Sequence, residues 1–459
     1  MIHHNIEFTL KNAPVLDTDF APLYAFNQAF LKTATKPFAL GIERSNGQIT
    51  VYETKIHGTP DKIDSDRYYV NRLLKALLWE VGGYKVHVCG DEAIFNYLKT
   101  ACNKGGDMEF DWEFMGGVYE HAFEVVYHTF EDRPQTNEAA ESIGRHLEGC
   151  RIGFDAGGSD RKVSAVVDGE VIFSEETVWN PTITEDPEYH YQGIVQSFKE
   201  AAKHMPRVDA IGVSSAGIYI NNRTMIASLF LKVPKDQFDL KIKDIYLRAA
   251  NEIGDVPIAV ANDGDVSALA GAMGMGANSL LGLAMGTSEA GGFVDDNGNI
   301  TGWLNELAFV PIDANPNALA DEWSLDIGCG RKYFSQDSVI KLCPAAGIEL
   351  PETATTPAER LKVVQALMAN DDPRAAKIYE SIGSYLGHTV PLYESLYHMK
   401  HVLLLGRVMS GKGGDLIVKE AERVLADEYP NVKVKLLLPD EKTRRVGQSV
   451  AAASLPEVK

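Results

Sequence analysis

The chain has 459 residues, of which 45% are hydrophobic and 24% are charged, and this is the composition of an ordinary globular protein. Wholesale disorder and fibrous repeats are therefore excluded, and the length predicts roughly three domains at about 150 residues each, or two domains with insertions. The 44 Lys and Arg residues against 64 Asp and Glu residues give a formal net charge of −20. Such a chain repels nucleic-acid phosphates and anionic membranes, and no long basic run opposes that repulsion. We therefore expect neither nucleic acid nor membrane as a partner.

The five cysteines are widely spaced and form no Cys-x-x-Cys pair, which argues against a zinc knuckle or a redox pair. The first residues lack the charged and then apolar pattern of a signal peptide. No run of about 18 apolar residues is present that could span a membrane. We therefore expect a cytoplasmic protein with reduced thiols.

The first third of the chain reads as a small α/β segment of its own. An Asn46-Gly47 pair between two β-rich runs predicts a hairpin, and leucines at helical spacing predict an amphipathic helix. The elements expected there are strands at 38–42, 49–52 and 85–89, a helix at about 66–79, and a further helix capped by Asp91. A polar stretch up to residue 137, ahead of a strong strand pattern, places a domain boundary between about residues 137 and 150.

From residue 151 onward strands and helices alternate, which predicts sheets covered by helices. The expected strands are 151–155, 162–167, 171–174, 210–213, 257–261, 279–284, 401–405 and 432–437. The expected helices are 191–204, 240–253, 266–273, 358–369, 375–399 and 415–429. Pro391 lies inside the longest of these helices and predicts a kink or a break there.

A carboxylate and a glycine-rich turn follow the first of these strands. Asp155 could hold Mg²⁺ directly or through water, because Mg²⁺ keeps much of its hydration when it binds beside phosphates. Gly157, Gly158 and Ser159 let the backbone turn tightly and offer bare amides to an anion. Taken alone, a plain hairpin turn with an incidental aspartate explains the segment equally well.

A second acidic segment follows the strand at 257–261. It delivers Asn262 and Asp263 to the carboxyl end of that strand, where α/β sheets bind ligands. Asp263 suits a general base that takes a proton from a hydroxyl group. The alternative is a helix cap, a role that we expect of Asp265 rather than of Asp263.

Two further glycine-rich segments follow strands in the second half of the chain. The amides of Gly286 and Thr287 could hold phosphate oxygens, and the loop at Gly406 and Arg407 would let a flat base approach closely. Each segment alone is equally compatible with a glycine loop that binds nothing. The repetition of one pattern, a strand and then a glycine turn, argues against coincidence.

In this order the segments resemble the ROK family of sugar kinases, within the actin-like ATPase and sugar-kinase superfamily. The resemblance is carried by six segments, each followed here by the family pattern that it approximates: 155–159 (family D-x-G-G-T), 211–217 (family I-G-V-P-G), 262–265 (family N-D-A-N), 286–292 (family G-T-G-x-G-G-G), 305–309 (family G-E-x-G-H) and 405–410 (family L-G-G-G-V-S). It covers about residues 151–455. It implies a two-lobed, α/β, actin-like ATPase (ribonuclease-H-like) fold. The lobes would be residues 151–265 and 266–459, preceded by an additional N-terminal α/β domain of unknown role at residues 1–150.

The same resemblance implies ATP and Mg²⁺ as cofactors and a small-molecule sugar or polyol as the partner. It makes Asp263 the catalytic base and Asp155 the metal-binding residue. The other implied roles are sugar binding by Asn262 and Glu306, and nucleotide binding by Gly157, Gly158, Ser159, Gly286, Thr287, Gly406 and Arg407. A homodimer remains open.

The sequence departs from the family pattern around the sugar pocket. Phe309 stands at the family's zinc-binding histidine, and Cys329 alone remains of three zinc-binding cysteines, so zinc is not expected. Arg331 stands where the family has a second sugar-binding glutamate. We place Arg331 with the substrate-binding residues, although a solvated Arg331 that touches no substrate is an equal alternative. A guanidinium donates where a carboxylate accepts, so plain glucose should fit poorly.

The sequence therefore favours an ATP-dependent kinase acting on a sugar or sugar-like alcohol. Two alternatives remain, namely a sugar-binding regulator or pseudokinase, and an ATPase that acts on a partner protein. Within residues 1–150, Gly41-Ile42-Glu43 faintly echoes Gly153-Phe154-Asp155, which leaves a decayed internal duplicate open, although an added domain is favoured.

Overall fold

The computed structural model describes residues 1–138, 143–439 and 447–458. Its strands are β1 (Ile2–His3), β2 (Ile6–Glu7), β3 (Lys36–Glu43), β4 (Ile49–Ile56), β5 (Lys85–Cys89), β6 (Glu124–His128), β7 (Cys150–Ala156), β8 (Asp160–Val167), β9 (Glu170–Val178), β10 (Ala210–Ser215), β11 (Ile218–Ile220), β12 (Arg223–Ile226), β13 (Ile258–Asn262), β14 (Leu280–Met285), β15 (Glu289–Val294), β16 (His401–Leu405) and β17 (Lys435–Leu437). Its helices are α1 (Leu23–Leu31), α2 (Ile63–Glu80), α3 (Glu92–Ala101), α4 (Glu109–Tyr119), α5 (Pro187–Ala202), α6 (Lys235–Gln237), α7 (Ile245–Asn251), α8 (Asp263–Met275), α9 (Gln336–Leu342), α10 (Pro357–Ala369), α11 (Pro373–Tyr397), α12 (Lys412–Glu428) and α13 (Gln448–Ala453).

These elements form two compact units, each built from separate stretches of sequence. Unit 1 comprises Met1–Ala139, Leu283–Gly291 and Leu304–Leu438. Unit 2 comprises Ala140–Gly282, Gly292–Trp303 and Pro439–Lys459. Residues 1–139 thus share a unit with much of the last third of the chain.

Unit 2 is organised by a five-stranded sheet of order β13-β10-β7-β8-β9. The strands β7, β10 and β13 are parallel, whereas β8 and β9 are antiparallel to their neighbours. The central strands are apolar because both of their faces are covered, as expected for parallel strands. Phe154 of β7, for example, is fully buried and packs edge-on against Phe198 of α5 at 5.4 Å between ring centroids.

Helix α13 packs against this sheet through two glycines. A β-carbon at Gly153 of β7 would lie 1.7 Å from the carbonyl oxygen of Ser449, and one at Gly212 of β10 would lie 1.6 Å from that of Ala452. Such separations are far below van der Waals contact. The close approach of helix and sheet therefore requires glycine at both positions.

Unit 1 contains a sheet formed entirely by its N-terminal residues, with the order β4-β3-β5-β6. The predicted hairpin is confirmed, since β3 and β4 are antiparallel and Asn46 takes the left-handed conformation in the turn, with φ 61°. Strand β3 also runs antiparallel to β5, whereas β7, the first strand of the sheet in unit 2, is parallel to β10. The two sheets therefore differ in topology, which argues against a decayed duplicate.

A second four-stranded sheet has the order β15-β14-β16-β17, with β16 and β17 parallel. Helices α11 and α12 pack against each other in unit 1. Helix α11 is continuous from Pro373 to Tyr397, so the chain is not broken at Pro391, and a kink there stays a prediction. The helix predicted at 240–253 is interrupted, because a π-helical turn at Phe238–Ile242 precedes α7. None of the described helices combines the length and apolar character needed to cross a membrane.

Candidate active site

Asp155 lies near the carboxyl end of β7, where its side chain accepts a hydrogen bond from Ser214. The Ser214 hydroxyl donates to Oδ1 of Asp155 at 2.8 Å, and the two residues are direct partners in the parallel pairing of β7 and β10. Burial raises the pKa of Asp155 to about 6, and the negative charge of Asp263 adds to the rise, while the bond from Ser214 opposes it. The nearby charge of Lys162 also lowers the pKa, but burial dominates.

Asp263 is the first residue of α8, immediately after β13. Burial raises the pKa of its carboxyl group, and the hydrogen bond from the backbone amide of Gly264, at 3.1 Å, only partly opposes this. The register pairs Ser215 of β10 with both Ala156 of β7 and Asn262 of β13, so Asp155 and Asp263 lie at the same edge of the sheet. A carboxyl group whose pKa is raised is a better proton acceptor than a fully solvated one.

Asn262 caps helix α8. Its side-chain oxygen accepts from the amide of Gly264 at 2.7 Å, and its side-chain nitrogen donates to the carbonyl of Gly217 at 2.7 Å. The expectation that Asp265 caps this helix is wrong, because Asn262 already has the extended backbone of an N-cap, and Asp265 accepts instead from the amide of Phe293 at 3.1 Å. Both ends of the Asn262 amide are thus used in fixing the start of α8, and sugar binding by Asn262 stays a prediction.

Sequence reasoning missed the hydroxyl groups behind this edge. Tyr246 donates to Ser215 at 2.8 Å, and Tyr219 lies close enough to Asp263 for that charge, after burial, to raise its pKa. Ser214 and Ser215 are both buried at the end of an otherwise apolar strand. That pattern is the signal that could have found them, since buried hydroxyls are normally hydrogen-bonded to something.

The predicted phosphate loop is a tight turn between β7 and β8. The amide of Gly157 donates to the carbonyl of Asp160 at 2.9 Å, so this amide is used within the turn. Trp179 holds the turn from the other side, because its indole nitrogen donates to the carbonyl of Gly157 at 2.8 Å and its amide to that of Ser159 at 3.1 Å. Gly158 and Ser159 are exposed at the tip.

The two other glycine segments lie in unit 1. The amide of Gly286 donates to the carbonyl of Ser288 at 3.0 Å, and Thr287 is exposed. Gly406 has φ 94°, and a β-carbon there would lie 2.4 Å from the carbonyl oxygen of Met285. Conformation and close approach both require glycine at this position, and exposed Arg407 follows it.

Glu306 and Phe309 belong to one short turn of unit 1. The amide of Glu306 donates to the carbonyl of Trp79, at the end of helix α2, at 2.9 Å. The amide of Phe309 donates back to the carbonyl of Glu306 at 3.1 Å, and the Phe309 ring lies 4.5 Å from Trp79 and 5.0 Å from Trp323, between centroids. The residue at the family's histidine position is thus part of an aromatic cluster.

Arg331 is held by acidic residues of its own unit. Its Nη1 lies 3.0 Å from Oδ1 of Asp321, whose side chain is fully buried, and 3.6 Å from Glu322. Burial raises the pKa of the Cys329 thiol well above its ordinary value, and the nearby charge of Asp326 adds to this. Within the part of the chain that the structure describes, no group of three or more His, Cys, Asp or Glu side chains is arranged to hold a metal ion.

The structure thus brings the predicted residues together in two sets. Unit 2 holds Asp155, Gly157, Gly158, Ser159, Asn262 and Asp263, and unit 1 holds Gly286, Thr287, Glu306, Arg331, Gly406 and Arg407.

Comparison with known proteins identifies a family. The sequence profile of the ROK family matches residues 151–452. Among solved structures, the ROK hexokinase from Thermus thermophilus has a TM-score of 0.52 at 18% identity, over 66% of this chain and 97% of that one. A ROK family transcriptional regulator, a homologue of the E. coli MLC protein, has a TM-score of 0.52 at 18% identity, over 70% of this chain and 82% of that one. At these identities the likeness establishes an actin-like ATPase fold of α/β class. No curated protein matches the chain.

Proposed function

Because the chain belongs to the ROK family, we propose that it is an ATP-dependent kinase that phosphorylates a hydroxyl group of a sugar or sugar-like alcohol. The observation that supports this best is the pair of carboxylates at one edge of the sheet in unit 2. Asp155 lies near the carboxyl end of β7 and Asp263 directly follows β13, the two strands that flank β10 in parallel, and burial raises the pKa of each carboxyl group. A kinase needs one carboxylate for a metal-bound nucleotide and one for the acceptor hydroxyl.

In this proposal Asp263 takes the proton of the acceptor hydroxyl as that oxygen attacks the γ-phosphoryl group of ATP. The proton moves to a carboxylate oxygen of Asp263, whose raised pKa makes it a better acceptor. Its position is rigid, because the cap formed by Asn262 fixes the first turn of α8. Most of the remaining catalysis is positioning and neutralisation of charge, as is general for phosphoryl transfer.

Asp155 is the residue that would hold Mg²⁺, and the residues present fit that ion. Mg²⁺ prefers oxygen ligands and needs few of them from the protein, since water and phosphates complete its shell. Asp155 supplies a carboxylate beside the Ser214 hydroxyl, and burial, together with the nearby negative charge of Asp263, raises its pKa, so a cation bound there would favour the ionised form. Bound there, the ion would neutralise phosphate charge during the transfer.

The nucleotide and sugar contacts follow from the family resemblance, and exposure and hydrogen bonding rank the phosphate-binding residues among them. The exposed residues Gly158, Ser159 and Thr287 suit phosphate contacts better than Gly157 and Gly286, whose amides are used within their own turns. Gly406 and Arg407 are assigned to the adenosine, and Glu306 to the sugar. Arg331 remains in the acceptor region, but its pairing with Asp321 makes it a supporting residue rather than a free donor.

A regulator or an energy-coupling ATPase would use the same fold differently, and one assay separates them. ADP release is measured with ATP and Mg²⁺, with and without each member of a panel of sugars and polyols. A kinase needs the acceptor, an ATPase does not, and a regulator releases ADP in neither case.

Asp263→Asn tests the proposed base. This variant should lower turnover by about 10²–10⁴-fold, the usual contribution of a positioned general base, while nucleotide affinity stays nearly unchanged. The matched control is Asp255→Asn, which should keep full activity. Asp255 is exposed and lies shortly before β13, the strand that leads to Asp263. An Asp263→Asn enzyme that retains most of its turnover would exclude the assignment.

A further inference from the structure

The C-terminal end of helix α2 is covered by the segment that carries Glu306. The last carbonyl groups of a helix have no partners within the helix. Here the carbonyls of Trp79, Glu80 and Val81 accept from the amides of Glu306 at 2.9 Å, Asn305 at 2.9 Å and Leu304 at 3.2 Å, in that order. Three consecutive hydrogen bonds set the register of residues 304–306 on the helix, so the backbone of Glu306 is positioned by an element of the N-terminal segment.

The same helix carries two cations that are buried against acidic side chains. Arg72 makes two contacts of 2.9 Å with the two carboxylate oxygens of Asp326. Lys75, one turn further on, lies 3.1 Å from Asp326 and 3.2 Å from Asp111, and only 4% of its side chain is exposed. Burial would raise the pKa of Asp326, but the charges of Arg72 and Lys75 overcome this and lower it.

Trp79 links this charged cluster to the turn that contains Glu306. Its indole nitrogen donates to Asp111 at 2.6 Å, while its ring packs on Phe309 at 4.5 Å between centroids. Phe309 belongs to the same turn as Glu306. Charge pairing, aromatic packing and backbone hydrogen bonding therefore act together on residues 304–309, and all three originate in helix α2.

We propose that Arg72, Lys75 and Trp79 are positioning residues for the acceptor site, so that the N-terminal segment forms an integral part of sugar binding rather than a separate module. This inference rests on the proposed kinase function in so far as Glu306 contacts the acceptor. The buried cluster leaves the side chains of helix α2 no freedom to shift without separating paired charges. A displacement of the turn by about 1 Å could cost roughly 10²-fold in catalytic efficiency.

The central test is Arg72→Met, which removes the guanidinium charge but keeps an unbranched, flexible side chain in place of the arginine stem. The matched control is Arg67→Met on the same helix. This arginine is exposed, and its ion pair with Asp64 is long at 3.8 Å and also exposed. Amide hydrogen exchange is measured over residues 304–309, followed by steady-state kinetics with acceptor and ATP varied separately. Arg72→Met should speed exchange there by about tenfold or more and raise the acceptor KM by about 10–100-fold, with the ATP KM within about twofold. Arg67→Met should change neither the exchange rate nor the acceptor KM. Arg72→Lys keeps the positive charge, so it should change both quantities less than Arg72→Met does.

Exchange at residues 304–309 that does not respond to Arg72→Met would overturn the proposal. An equal rise of both KM values, or faster exchange spread evenly over unit 1, would also overturn it, because the variant would then act through general stability. If Arg72→Met does not fold, Trp79→Phe is measured in the same way, because it keeps an aromatic ring next to Phe309 and removes the hydrogen bond to Asp111. The exchange measurement needs no activity, so a failure of the kinase assignment remains distinguishable from a failure of the positioning role.

Discussion

Two glutamates buried in unit 1 should make the stability of the protein depend on pH. Glu289 and Glu80 are 3% and 2% exposed, and burial raises the pKa of each, of Glu289 to about 8. Tyr393 donates to Oε1 of Glu289 at 3.1 Å. Among the described residues, Oε2 of Glu289 and Oε1 of Glu80 have no hydrogen-bond partner. A charged pair at this place would be both desolvated and self-repelling, so the folded protein keeps these groups protonated.

The sign and size of the effect follow from proton linkage. The pKa of Glu289 is raised from 4.5 to about 8 in the folded state, so unfolding between these values releases a proton. Its contribution to stability is complete below pH 4.5 and is lost as the pH rises to about 8. The expected loss is about 1.4 kcal/mol per pH unit, or about 5 kcal/mol over the whole window.

Glu289→Gln removes this dependence and keeps an oxygen that can accept from Tyr393. Urea unfolding followed by tryptophan fluorescence at pH 5.5, 6.5 and 7.5 should give a shallower fall of the free energy of unfolding for the variant than for the wild type. The difference in slope should be about 1.4 kcal/mol per pH unit. Glu352→Gln, at an exposed position, is the matched control and should follow the wild type. Equal slopes for the wild type and Glu289→Gln would refute the reasoning.

Three further predictions concern other parts of the chain. Plain glucose should be phosphorylated weakly, since Phe309 is packed in an aromatic cluster and Arg331 is paired with Asp321; glucokinase-level ADP release on glucose would contradict this. Metal analysis of the purified protein should find less than one zinc per chain, because Cys329 is buried with a raised pKa and no cluster of metal-binding side chains surrounds it among the described residues; one bound zinc per chain would contradict this. Gly212→Ala should destabilise unit 2 by about 1–3 kcal/mol through overpacking against helix α13, measured by thermal unfolding. Gly117→Ala, in a helix and with no neighbour within 4 Å, should be neutral or slightly stabilising, and equal effects would exclude the packing argument.

Much of the secondary structure could be predicted from local pattern. The strand predicted at 401–405 coincides with β16, and those predicted at 151–155 and 257–261 match β7 and β13 to within one residue at each end. These strands are apolar, short and followed by glycine or by capping residues, so their signals are local. Local pattern did not predict helix α4, which contains the poor helix formers Gly116 and Gly117. Its Phe114 packs on Trp79 at 4.8 Å, and such tertiary packing outweighs propensity.

The charged cluster on helix α2 could not have been predicted in the same way. Arg72 and Lys75 read as the solvated face of an amphipathic helix, because charged side chains are seldom fully buried. Their partner Asp326 lies 254 residues away from Arg72 in the sequence, and only the folded chain brings them together. The prediction of the capping residue of α8 was wrong for a simpler reason. Asn262 and Asp265 both suit an N-cap position, and the choice between them depends on where β13 ends.

The packing of helix α13 on β7 and β10 has a consequence for biosynthesis. The hydroxyl groups of Ser164, in the neighbouring strand β8, and Ser449 of α13 are hydrogen-bonded at 2.8 Å although 285 residues separate them in the chain. At a translation rate of about 5–20 residues per second, the strands leave the ribosome roughly 15–60 s before the helix that covers them. During that interval the surface of β7 and β10 at Gly153 and Gly212 lacks the helix that covers it in the folded protein. Unit 2 therefore cannot complete its fold before residues 448–453 have been synthesised.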